Sequence, residues 1–68
     1  MSSHVYKIVR LVGSSPVSVE KAIENALGKA AESIRNIRWF TVDETRGQVD
    51  DGQVAHFQVT LSVGFTLE

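Results

Sequence analysis

The chain has 68 residues, with 7 Lys+Arg against 8 Asp+Glu, for a formal net charge of -1 with histidine neutral. Its 43% hydrophobic and 22% charged content is that of a globular chain rather than a disordered one. The balanced charge lacks the basic excess of general nucleic-acid binders, and the absence of cysteine excludes a disulfide framework, a thiolate zinc site and a cysteine nucleophile, and fits a reducing compartment.

Met1-Ser2-Ser3-His4 is polar, and the apolar run from Val5 to Val12 is interrupted by Lys7 and Arg10. No targeting signal is legible there. No stretch approaches the ~20 apolar residues of a membrane-spanning helix, so neither a membrane nor a nucleic acid is expected as partner and a cytoplasmic location is expected.

Val5 to Val12 reads as a first strand, ending at Gly13. Gly13-Ser14-Ser15-Pro16 reads as a turn into a helix. Ser15 suits the N-cap with Pro16 at the first helical position. Ser18 is the rival cap, with Glu20 favouring the positive helix end. The helix is expected to run to about Asn36, with Val19, Ile23, Ala26, Leu27, Ala30 and Ile34 as its apolar stripe. Gly28 sits inside it at a cost of about 1 kcal/mol against alanine. A close contact with another chain or plain tolerance would explain it.

Arg38 to Val49 reads as a second strand, and Asp51-Gly52 as the centre of a hairpin turn. Gln53 to Leu67 is the third strand, with the cleanest alternation. Ala55, Phe57, Val59, Leu61, Val63, Phe65 and Leu67 form an apolar face, and His56, Gln58, Thr60, Ser62 and Thr66 a polar one.

The order is β-α-β-β in a single α+β domain, residues 1–68. A crossover helix leaves the first two strands running the same way. An all-antiparallel sheet then needs the third strand in the centre, in the order 1-3-2. One helix covers one face, and nothing in the chain covers the other. A core from fewer than ~70 residues is small, and with no disulfide or evident metal the remaining support is self-assembly.

A two-residue loop at Asp51-Gly52 pairs Asp50 with Gln53. Counting back sets Thr45 opposite Gln58 and Trp39 opposite Gly64, and puts Trp39 and Gln58 on the helix-free face, provided that no bulge intervenes. Trp39 is either a large core or interface residue or a stacking platform for a flat ligand. Gln58 is either a solvated sheet residue or a carboxamide offering a donor and an acceptor to a planar heterocycle. His4 and His56 lack metal-ligand spacing. Asp50 and Asp51 belong to the turn, and Asp43 and Glu44 are expected on opposite faces. Arg46 would pair with Glu44 or meet a phosphate. No phosphate-cradling glycine loop and no Ser-His-Asp pattern occurs, so an enzyme is not expected.

Val5-Tyr6-Lys7, Leu11-Val12-Gly13-Ser14-Ser15, Ile37-Arg38-Trp39-Phe40, Arg46-Gly47, His56-Phe57-Gln58-Val59 and Val63-Gly64-Phe65 occur in this order along the chain. In that order and spacing the chain resembles the dodecins, small flavin-binding proteins, and more their bacterial members. The resemblance implies a three-stranded antiparallel sheet partly wrapped round one helix, assembled as a hollow homododecamer. It implies FMN or riboflavin held as stacked pairs at subunit interfaces, for storage and protection rather than turnover. Trp39 matches the tryptophan that stacks on the isoalloxazine ring, Gln58 the glutamine on its pyrimidine edge, and Arg46 a basic position. Bacterial members also bind coenzyme A, for which Lys29 and Arg35 fall where basic contacts are expected. One departure is Thr66, where bacterial relatives often carry a basic residue; riboflavin or lumichrome is then expected to compete better with FMN. The alternative is a structural oligomerisation module without a cofactor.

Overall fold

The computed structural model describes residues 4–67; Met1, Ser2 and Ser3, read above for a targeting signal, and Glu68 lie outside it. Strand β1 spans Tyr6–Ser15, helix α1 Val19–Ala30, strand β2 Ile37–Asp50 and strand β3 Gln53–Thr66. The sheet has the order β1-β3-β2, and both pairings are antiparallel. The expected β-α-β-β topology with β3 central is therefore the one adopted.

The β2–β3 turn is as its sequence dictates. Asp51 and Gly52 have φ of 55° and 75°, the two consecutive positive values that a tight hairpin turn needs. Asp50 pairs with Gln53 across it.

β1 differs from expectation. It does not end at Gly13 but runs on through Ser14 and Ser15, paired with Val59, Gln58 and Phe57. Gly13 is required by packing, not by a turn. A Cβ there would overlap the carbonyl oxygen of Ala22 and lie 2.8 Å from the Ala26 Cβ. Sheet pairing also holds Ser15 away from the cap position. Its Oγ instead accepts the Val17 N–H at 2.9 Å. The N-cap is Ser18, in extended conformation, with its Oγ accepting the Lys21 N–H at 3.0 Å.

The helix stops at Ala30, short of Asn36. Glu32 and Ser33 bond the carbonyls three residues back, of Lys29 and Ala30, the tightened geometry of a terminating turn. Asn36, with φ of 64°, then redirects the chain into β2. Asparagine tolerates that left-handed conformation better than most residues.

The buried apolar residues, among those described, are Ala22, Ala26 and Ala30 on α1 and Val59, Leu61 and Val63 on β3. Leu11, Val19, Ile23, Leu27 and Ile37 pack around this cluster. The alanines bring the helix close, and the branched side chains of β3 fill the space. The helix packs on β1 and β3. The helix-side residues of β2 stay exposed, Phe40 at 44% and Val42 at 41%. A groove of about 570 Å³ runs between Phe40 and the Val19, Ile23 and Leu27 row of α1. The described residues extend over 55 × 20 × 14 Å. Twelve helical residues cover only about 18 Å of that length, so the β2–β3 hairpin projects past the helix.

Gly13→Ala is expected to destabilise the fold by about 1–3 kcal/mol, because the clash is with helix backbone that cannot swing aside. A lower denaturant midpoint with an unchanged slope would register it.

Candidate functional site

Val59, Leu61 and Val63 point into the core, so the residues alternating with them face away from the helix. Gln58, Thr60, Ser62, Gly64 and Thr66 form the middle row of that helix-free face. β1 sets Ser14, Val12, Arg10, Ile8 and Tyr6 beside them. β2 sets Arg46 opposite Gln58, Glu44 opposite Thr60, Thr41 opposite Ser62 and Trp39 opposite Gly64.

Trp39 is thus opposite Gly64 as expected, whereas Gln58 is opposite Arg46 and not Thr45. The cause is a set of bulges. A register shift between Gln48 and Val49 leaves Ala55 as an extra residue on β3. A second shift, between Val42 and Glu44, leaves Asp43 extra on β2. The two offsets cancel, so the count is wrong between them and right from Val42 to Trp39; a third shift, between Ile37 and Trp39, leaves Arg38 extra on β2 and offsets it again.

The second bulge also re-aims a carboxylate. Asp43 Oδ2 accepts the Ser62 hydroxyl at 2.6 Å and lies 3.3 Å from Arg10 Nε. Both partners are on the helix-free face. Asp43 and Glu44, expected to point to opposite sides, therefore serve the same one. Arg46 Nη2 donates to Glu44 Oε1 at 3.0 Å, realising the expected pair beside half-buried Gln58. Both members are exposed, so the pair contributes about 0–1 kcal/mol. The face carries Arg10 and Arg46 against Asp43 and Glu44, in local balance.

Trp39 is the most informative side chain. A Cβ on Gly64 would overlap Cε2 and Cζ2 of the indole, so the ring rests directly on the β3 backbone. Gly64 is not in the left-handed region, and it is needed there for space, not for conformation. The indole remains 37% exposed. One side is set against the strand, and it stands on an edge strand of a face that no other described element covers. This is the geometry of a stacking platform. Tyr6 lies beside it, with ring centroids 6.0 Å apart and planes tilted by 56°. His4 follows, 6.5 Å from Tyr6.

Trp39 and Gln58 share the face but not a location. Gly64, beneath the indole, and Gln58 are six positions apart on β3, a span of about 20 Å. His56 lies one step further along, opposite Gln48. Thr66 is 5% exposed, and its Oγ1 is buried without a hydrogen-bond partner. Lys29 is on α1, across the sheet from Trp39, with Nζ 3.6 Å from a Glu32 carboxylate oxygen. Arg35, beyond the helix end, borders a hollow with Ser33, Asn36, Thr66 and Leu67. Lys29 is thus set apart from Trp39 and Gln58 by the sheet, whereas Arg35 lies by Thr66, two positions along β3 from Gly64. Gly28 has no neighbour within 4 Å of its missing Cβ among the described residues. Sequence reasoning missed Tyr6, Arg10 and Asp43 because their placement depends on bulges and cross-strand reach. The described residues include no group of three acidic or histidine side chains able to hold a metal, and no helix long and apolar enough to cross a membrane.

A family model described as Dodecin matches residues 5–68. The chain is 47% identical to a dodecin of Thermus thermophilus over 64 residues, covering 94% of this chain and 93% of that one. It is 33% identical over 63 residues to a calcium dodecin of Mycobacterium tuberculosis, covering 93% and 89%. The solved structure of dodecin from Streptomyces coelicolor is similar with a TM-score of 0.95 at 48% identity, covering 100% of this chain and 97% of that one.

Gly64→Ala is expected to lift the indole off the strand, at about 1–3 kcal/mol of stability. Trp39 is the sole tryptophan, so a red shift of protein emission in a still folded variant reports its release into water.

Proposed function

The chain belongs to the dodecin family, and from that premise we propose that it sequesters flavins, FMN or riboflavin, on the Trp39 platforms of a homododecamer in the cytoplasm, storing and quenching them without turnover. The flat, half-open indole lying on Gly64 carries this reading. A planar, electron-poor heterocycle is the ligand such a surface fits. Its pyrimidine edge presents donors and acceptors that one carboxamide, that of Gln58, can answer.

Trp39 and Gln58 of one chain cannot serve one flavin. The tricyclic ring is far shorter than the ~20 Å of strand between them. Each site therefore takes Trp39 from one chain and Gln58 from another, and binding requires assembly. The small core and the uncovered sheet face favour the same conclusion.

A bound flavin supplies, when photoexcited, a strong electron acceptor. Trp39 in van der Waals contact donates one electron and recovers it in the return step, so nothing is consumed and the light energy is lost as heat. Arg46 is the cation we assign to the FMN phosphate, in competition with Glu44 at 3.0 Å. Thr66 adds no charge, so FMN gains little over riboflavin. Lys29 and Arg35 would serve a coenzyme A phosphate, Lys29 from the helix side of the sheet. The Mycobacterium tuberculosis relative is named for calcium; no described cluster here favours that ion over a flavin.

Titration of riboflavin and FMN with flavin-free protein is expected to quench their emission, saturating near one flavin per chain. Trp39→Ala is expected to weaken binding by about 1–3 kcal/mol, roughly five- to 150-fold, with assembly intact. Trp39→Ala and Gln58→Ala chains, each defective alone, are expected to regain a statistical fraction of sites when unfolded and reassembled together. An assembled wild type that leaves flavin emission unchanged would replace this reading with that of a structural module.

A further inference from the structure

The flavin reading uses Trp39 but leaves its aromatic neighbour without a part. Trp39 stands on β2, an edge strand whose other side chains are nearly all exposed. An indole so placed would swing between rotamers unless something stops it. Gly64 supplies a floor and no side wall. Tyr6 comes from the opposite edge strand. Its register partner is Thr66, two positions along β3 from Gly64. The tyrosine ring therefore reaches across the central strand to meet the indole, at 6.0 Å and a 56° tilt. Those values lie in the range where aromatic pairs attract beyond their area. Beneath the reach of these rings Thr66 is 5% exposed, although no described element covers its face.

We propose that Tyr6 is a positioning residue for the stacking platform. Gly64 sets the height of the indole and Tyr6 closes one edge, so a single orientation is held before any ligand arrives. The open side of the indole is then the only approach for a planar ligand. The ligand does not have to immobilise Trp39 itself, and one ordered side chain corresponds to about two- to tenfold in affinity. The ligand part rests on the flavin reading; the positioning part does not.

The chain has one tyrosine and one tryptophan, which permits a ligand-free test. In assembled wild type, excitation of Tyr6 should emerge almost wholly as Trp39 emission. Time-resolved anisotropy of Trp39 should show slow motion only. Tyr6→Phe should keep that slow decay and the riboflavin affinity. Tyr6→Ala should add a fast local component and weaken riboflavin about two- to tenfold. Should Tyr6→Ala fail to assemble, Tyr6→Val offers a ringless residue suited to a strand. An unaltered anisotropy decay in the ringless variant overturns the proposal, as does an equal loss in Tyr6→Phe. If riboflavin does not bind wild type, the flavin reading fails, and the anisotropy contrast still decides the role of Tyr6.

Discussion

The closeness of α1 to the sheet governs the rest of this structure. At Gly13 the Ala22 carbonyl leaves no room for even one carbon. Ala22, Ala26 and Ala30 make the facing side of the helix nearly flat. That closeness buries Val59, Leu61 and Val63 with a single short helix. It also fixes which face of β3 points inward, and hence that Gln58, Thr60, Ser62 and Gly64 point outward. A one-residue slip would exchange the two sets. The candidate site is thus a by-product of how the core is closed on the other side of the sheet.

Two glycines act at opposite faces by the same means. Gly13 admits a helix backbone, and Gly64 admits an indole. Neither has a positive φ. Their value is the absence of a carbon atom, a matter of approach distance. The helix-free face gains a flat aromatic surface, and the helix side gains a tight core.

Much of this was legible in the residues. The alternation of β3, the Asp51-Gly52 turn and the crossover helix together dictated the strand order. Ser15 and Gly13 misled because a Gly-Ser-Ser-Pro run is also turn chemistry, and the pairing of Ser14 and Ser15 with Gln58 and Phe57 overrode it. Ala22 was passed over although Ala26 and Ala30 were read into the apolar stripe, and it lies at the point of closest contact. The placement of Asp43 was out of reach. Alternation along a strand carries no mark of where an extra residue sits, so a bulge that turns a carboxylate toward Ser62 and Arg10 leaves no local signature. For the same reason Thr45 was set where Arg46 stands.

The paired bulges of the hairpin have a consequence for how this chain can vary in length. From the turn to the level of the indole, residues 39–50 on one arm and 53–64 on the other are equal in number. Each arm nevertheless hides one surplus residue, Asp43 on β2 and Ala55 on β3. The hairpin behaves like a balanced account in which insertions are admitted only in opposite pairs. Losing either surplus alone would leave the turn intact and shift everything beyond it by one place, moving Trp39 off Gly64 and onto a residue with a side chain. A length change confined to one arm therefore displaces the indole from Gly64, while a change at the tip of the hairpin, on the turn side of both bulges, leaves that register in place.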